Sequence, residues 1–358
     1  MEQRPRLHYI DQLKGLAILF VVWGHISVNS TRNDFNYDMN YFYILTFHMP
    51  LFAILSGYFF SIKDSLKETL IKKSQRLLVP LLFWCVLGYG IIPLVNASII
   101  SWQGGESVHF FAIFRNVCYG VWDWGLWFLR ALFLCFIVAT ISTRFIGKNP
   151  VVLLLCSSVL LILLFWFCLP NFGMSLNGLL FLYPFFCIGY VYRQYENVIW
   201  KYRKVVAVLS LLLHLLLIVF CWQGYYDTIY QMNTSFWKED GLKDIVGVTM
   251  LQRSALRYAI GLFGCIPYLL FFRWLEEHKY NKGWLFNLLE TLGFSSIAIY
   301  IFHSFLADHF TNGITTDNQL LCIVGCLFMV AVYTAISYFV FRWTIPVRLL
   351  RRVMWGMK

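Results

Sequence analysis

Apolar residues run along this chain in blocks of about twenty, from residue 11 almost to the end, with charged residues gathered between the blocks. Helices of that length match the hydrocarbon thickness of a bilayer. Ten blocks can be drawn, at roughly 11–30, 41–62, 77–95, 124–143, 150–169, 177–193, 204–223, 250–272, 284–306 and 318–341. Lipid offers no partner for backbone polar groups, so continuously apolar blocks of this length are helical. The expected fold is therefore all-α, a polytopic membrane bundle of about ten transmembrane helices. No 20–50-residue repeat is present, which argues against a solenoid. Matched broken helices in two halves, the pattern of many transporters, are not visible either.

Composition agrees with this pattern. The 358 residues are 59% hydrophobic and 13% charged, and that charged share is about half the usual one. Two soluble domains are excluded, and residues 1–358 read as a single integral-membrane domain with no soluble domain after the last span. No small-residue cleavage site follows the first block, so that block is expected to remain as the first span.

The net charge of +11 raises the question of a nucleic-acid partner, and its distribution answers it. With both termini cytoplasmic, 22 of the 29 Lys and Arg residues fall on the cytoplasmic side, four on the opposite side and three inside spans. That is the positive-inside asymmetry of a membrane protein. The ten cysteines lie mostly within apolar runs, without CxxC or zinc-type spacing, so neither a disulfide framework nor a metal site is expected. Two outside connections are long, about 96–123 and 224–249. The first holds VHFFAIFRNV, which suits a short interfacial helix, and the second is aromatic and polar, as a lid would be.

Candidate chemistry sits where titratable groups enter the apolar blocks. Lys14 and His25 are eleven residues apart, close to three helical turns, so they share a face and are separated by about 16 Å along the axis. Asp11 falls on nearly the same stripe. His48 in the second span and His303 in the ninth reach a depth similar to that of His25. Arg130, Arg253 and Arg257 lie near the outer ends of their spans, the last two on one face. Ionisable groups at such depth usually face a bundle interior or a cavity. Each has a plainer reading as a structural hydrogen-bonding or interfacial group, and depth alone does not bring them together. His214 reads as structural, and Glu290 as half of an ion pair with Lys14 or a cytoplasmic arginine.

On the cytoplasmic side, KETLIKKSQRLLVP carries Lys72, Lys73 and Arg76 immediately before the third span. Charge alone describes a topology signal against anionic headgroups. The functional reading is an anionic ligand such as a nucleotide diphosphate, for which Lys and Arg are suitable binders. No GxxxxGK[ST] or GxGxxG motif is present, so neither a P-loop nor a Rossmann domain supports it.

Several of these segments together resemble the acyltransferase-3 family of integral-membrane acyltransferases, in particular its fucose 4-O-acetylase-like branch. They are IDQLKGLAILFVVWGH (Ile10–His25), FHMPLFAILSGYFF (Phe47–Phe60), RLLVPLLFW (Arg76–Trp84), LWFLRALF (Leu126–Phe133), YPFFCIGY (Tyr183–Tyr190) and LGFSSIAIYIFH (Leu292–His303). The first two are fairly specific, and the others add support. The resemblance implies a cytoplasmic acyl-CoA donor, most simply acetyl-CoA used as a co-substrate. It also implies transfer to a hydroxyl of a cell-envelope glycan or lipid-linked sugar, in the bacterial cytoplasmic membrane. His25 would be the essential histidine, while Lys14 and the basic segment with Lys72, Lys73 and Arg76 would form the donor side. Apart from the resemblance, an acyl transfer needs donors for the thioester oxyanion, and His48, at the depth of His25, is the candidate for that helper role. Arg130, Arg253, Arg257 and His303 are acceptor-side candidates. Many relatives carry Arg where this chain has Lys14, and an apolar residue is expected where it has Arg130. The competing class is a transporter or flippase for a polar lipid or sugar, using the same buried groups as a path.

Overall fold

In the computed structural model, residues 7–30, 39–102, 109–122, 126–146, 149–168, 173–221, 250–310 and 319–357 are described. All regular structure among them is helical. The helices are α1 (His8–Ser30), α2 (Met39–Tyr58), α3 (Leu66–Lys73), α4 (Val79–Val86), α5 (Ile92–Trp102), α6 (Phe110–Trp122), α7 (Trp127–Phe145) and α8 (Pro150–Cys168). They continue with α9 (Gly173–Lys201), α10 (Arg203–Cys221), α11 (Met250–Glu277), α12 (Trp284–Phe294), α13 (Ser296–Phe310), α14 (Gln319–Thr344) and α15 (Arg348–Trp355).

Four helical stretches are long and apolar enough to cross a bilayer, or six if each sharply bent pair counts as one span. The protein is thus an integral membrane protein by length and composition. Its outer surface agrees: α10 exposes Val208, Leu212, Leu216 and Val219, each 57% or more. In water such a stripe would invite association, whereas in lipid it is ordinary contact surface.

Several expected elements take a different form. The third span is the middle of one continuous helix, Leu66–Trp102, that swallows the basic segment before it. The polar link before it ends in a capping box, with Ser65 Oγ accepting from the Glu68 amide at 3.1 Å and Glu68 Oε2 accepting from the Ser65 amide at 2.8 Å. Two π-helical turns, Ser74–Leu78 and Leu87–Ile91, interrupt the long helix and rotate its faces. The ninth span is broken: α12 and α13 meet at 77° around Ser295. Ser295 Oγ donates back to the Thr291 carbonyl at 2.8 Å, the kind of side-chain competition that bends helices. The sixth and seventh expected spans are α9 and α10, joined by a 110° bend. Within VHFFAIFRNV, the residues from Phe110 onward form a helix, α6, with Phe110, Phe111 and Phe114 exposed. The expected lid at 224–249 lies outside the described residues.

α1 is the axis of the bundle, packed by α2, α11, α12, α13 and α14. Leu13, Ala17, Ile18, Val21, Val22 and Ile26 are 0–1% exposed, so it is apolar nearly all round. Glycines let the backbones meet. A Cβ on Gly15 would lie 1.9 Å from the Leu289 carbonyl oxygen, and one on Gly293 would lie 1.8 Å from that of Asp11. α1 and α12 therefore cross backbone to backbone at the level of Lys14, the small-residue contact typical of membrane helices. A carboxylate ties the same end together. Glu196 accepts from the Tyr9 and Tyr58 hydroxyls, both at 2.8 Å, and pairs with Arg273 at 2.9 Å, linking α1, α2, α9 and α11.

Candidate active site

A cavity of 670 Å³ opens beside α1. One end carries charge: Asp11, Lys14, Lys73 and Arg76 all line it. Lys14 is positioned by Asp11 at 3.3 Å and lies over the Phe59 ring, 4.6 Å from its centroid. Lys73 sits over Phe136 at 3.5 Å. Arg76 follows on the π-helical turn, exposed to the cavity. Lys72 goes elsewhere and pairs with Asp64 at 3.3 Å. Of the four expected donor-side cations, the structure brings three into one cavity and sets Lys72 apart from it.

The floor near Arg76 comes from the end of the chain. Trp355 and Met357 line the cavity, and the Trp84 indole donates to the Met354 carbonyl at 3.1 Å. Gly356 stops α15 with φ 62°, a left-handed cap that glycine adopts without strain. A Cβ there would lie 2.6 Å from Arg76 Cα, so the same glycine lets the terminal segment rest on the Arg76 backbone.

The other end is apolar and aromatic. Val21, Phe52, Phe128 and Tyr300 line it. Rings run in sequence from here: Phe52 to Phe128 at 5.9 Å, Phe128 to Tyr300 at 5.7 Å, Tyr300 to His303 at 5.9 Å, and His303 to His25 at 5.1 Å. Val21, Phe52 and Tyr300 each stand one turn from a histidine, namely His25, His48 and His303. The cavity thus ends one turn short of a histidine cluster. His48 is close enough to interact electrostatically with His25. Three of the groups placed at one depth by sequence are therefore neighbours in space.

Their hydrogen bonds assign different states to the rings. Nδ1 of His48 lies 2.7 Å from the Ile44 carbonyl, and Nδ1 of His303 lies 2.8 Å from that of Ile299. A carbonyl only accepts, so each Nδ1 carries the proton and each Nε2 keeps its lone pair. His303 is 0% exposed, and its Nε2 has no hydrogen-bond partner among the described residues. His25 differs. Its side chain is exposed while its ring packs on that of His303. Among the described residues no set of three His, Cys, Asp or Glu side chains is placed to hold a metal ion.

Arg130 and Arg257 are not among the residues that line this cavity. Arg130 donates to the carbonyls of Gly120 and Val121 at 2.8 and 2.6 Å, holding the carbonyl end of α6 where a cation is favoured. Arg257 is 4% exposed and lies over Phe181 at 4.6 Å, and the Arg253 side chain lies outside the described part. His214 is buried with Nδ1 3.2 Å from the Ile260 carbonyl, in keeping with a structural histidine. Glu290 has His8 as one partner, at 2.9 Å. Sequence reasoning missed the break at Ser295 and the cavity-lining residues Ser295 and Ser296 beside it. The only signal for it was the run Gly-Phe-Ser-Ser.

A cationic cavity and a histidine cluster one turn beyond its apolar end thus lie inside a helical membrane bundle. The chain belongs to the acyltransferase-3 family: the family model described as "Acyltransferase domain" matches residues 7–342. It is similar to the nodulation protein NolL of Sinorhizobium fredii, with 29% identity over 197 residues, 51% of this chain and 48% of that protein. The nodulation protein NolL of Mesorhizobium japonicum is 28% identical over 210 residues, 56% of this chain and 52% of that protein. The chain spans about half the length of these curated relatives. No solved structure matches it.

Proposed function

We propose that this acyltransferase takes an acyl group, most simply acetyl, from acyl-CoA on the cytoplasmic side. It delivers the group to a hydroxyl of a cell-envelope glycan or lipid-linked sugar. The reading includes about ten spans with both termini cytoplasmic, in a bacterial cytoplasmic membrane, in line with the charge asymmetry. One observation carries it: the cavity lined by Lys14, Lys73 and Arg76 is also lined by Val21, Phe52 and Tyr300, the first of them one turn short of His25. A charged nucleotide end and a thin thioester arm are the two halves of a ligand with those needs.

His25 acts as the general base, a role for which imidazole is suited near neutral pH. It takes the proton of the acceptor hydroxyl as that oxygen bonds to the thioester carbon. The carbon–sulfur bond then breaks, and the thiolate leaves as thiol with the proton from the imidazolium. His48 and His303 offer lone pairs and no N–H at Nε2, so neither neutral ring can donate to the thioester oxygen from that atom. His48 is better suited to hold His25 or the acceptor hydroxyl than to form an oxyanion hole. The test is acylation by purified protein: incubation with isotopically labelled acetyl-CoA and envelope glycan, followed by mass spectrometry. Label gained on the glycan supports the reading. Movement of a glycan or lipid across the membrane with no label transferred would instead favour a transporter.

A further inference from the structure

The break at Ser295 has a second consequence. α13 restarts there as a 15-residue helix, and the amides of Ser296, Ile297 and Ala298 precede the first amide that its own turn can satisfy, Ile299 to the Ser295 carbonyl at 2.9 Å. Ser295, Ser296, Ile297 and Ala298 all line the cavity that Lys73 and Arg76 line. The positive end of the α13 dipole is therefore turned into a space that already holds three cations and one carboxylate. A second observation is independent of the helix end. Ser296 is 93% buried by its 7% exposure, faces the cavity, and its hydroxyl makes no hydrogen bond among the described residues. Ser295, by contrast, spends its hydroxyl on the carbonyls of Thr291 and Leu292. The Ser296 hydroxyl and the first amides of α13 thus open into the same cavity as the Arg76 guanidinium, and an acceptor-rich anion held there would satisfy them all.

We infer that the start of α13 is a phosphate-binding site, with the Ser296 hydroxyl and the Ser296–Ala298 amides on one side of the anion and Lys73 and Arg76 on the other. The ligand class is a diphosphate or phosphate monoester. That it belongs to the acyl-CoA donor rests on the function proposed above. Helix starts bind phosphate through their free amides and dipole, and broken membrane helices place such starts at ligand sites. α13 then links the two ends of the reaction. Ser296 to His303 is seven residues, about 10 Å of helix rise, so the element that holds the phosphate also sets His303 against His25.

The site can be read without turnover, by the thermal midpoint of the purified full chain in neutral detergent with increasing inorganic pyrophosphate. Pyrophosphate should raise the wild-type midpoint. Ser296→Ala should need about tenfold more for half the effect, the scale of one charge-assisted hydrogen bond. Ser296→Asp places a carboxylate where a helix start favours one, so the fold is kept, and protection should vanish. Lys72→Gln, outside the cavity, should leave the response unchanged. No protection of the wild type, or equal protection of all four proteins, would overturn the site. Acetyl-CoA should protect in the same Ser296-dependent way, and acetylpantetheine, which lacks the nucleotide, should not. If pyrophosphate protects through Ser296 and acetyl-CoA does not, the anion site stands and the donor reading fails. If phosphatidylglycerol alone then competes with pyrophosphate, the ligand is a lipid phosphodiester and the stated ligand class is overturned.

Discussion

Replacing Gly293 with alanine would place a methyl carbon 1.8 Å from the Asp11 carbonyl oxygen, 2.7 Å from its carbon and 3.1 Å from the Gly15 nitrogen. These are backbone atoms of α1, so no side chain can rotate away. α1 and α12 would have to part by about 1.5 Å to reach an ordinary carbon–oxygen contact. Overpacking of this kind costs about 1–3 kcal/mol, while alanine returns about 1 kcal/mol of helix propensity. The sign of the effect therefore reports whether the backbones touch. Gly293→Ala should lower thermal stability in detergent and raise the donor KM, since Lys14 stands on the displaced helix. Gly15→Ala, 1.9 Å from the Leu289 carbonyl oxygen, should do the same. One separation relieves both clashes, so the double variant should lose less than the sum of the two. A stabilised Gly293→Ala, or two additive losses, would refute the crossing as described.

Arg76→Gln should raise the donor KM by about tenfold or more with little change in kcat, because it removes charge from the cavity and leaves the histidines alone; steady-state kinetics with acetyl-CoA checks this. His303→Gln should lower kcat by roughly tenfold at unchanged donor KM, because its ring packs on His25 5.1 Å away and lines no part of the cavity. Glu196→Gln should lower thermal stability by about 2 kcal/mol, the scale of hydrogen bonds to a charged group. It weakens the bonds from Tyr9 and Tyr58 and the pair with Arg273.

What the sequence revealed follows from what periodicity records. Lys14 and His25 share a face of one uninterrupted helix, so their spacing alone placed the cationic and histidine ends along α1. Depth counted along three apolar runs brought His25, His48 and His303 to one level, and the fold then made them neighbours. Periodicity does not record how a helix turns within the bundle. Lys72, Lys73 and Arg76 carry the same charge within five positions, and only packing beside a π-helical turn decides that Lys73 and Arg76 face the cavity while Lys72 meets Asp64. Nor does hydropathy record the break at Ser295. Residues 284–306 are predominantly apolar and hold no proline, and the bend coincides with a serine back-bond and with Gly293 pressed on α1. Arg130 stands out in sequence as an arginine near the outer end of an apolar run. Its partners are carbonyls of a neighbouring helix, which no pattern in α7 could reveal.

The central claim is that His25 performs the transfer. Its most direct measurement is acyl transfer from labelled acetyl-CoA to envelope glycan in membranes holding equal amounts of wild-type or His25→Ala protein. His25 makes no hydrogen bond among the described residues and keeps accessible surface, so alanine should leave folding and insertion intact. The expected outcome is inserted protein with transfer reduced by at least about a hundredfold, the scale of a lost general base. Undiminished transfer by His25→Ala would contradict it.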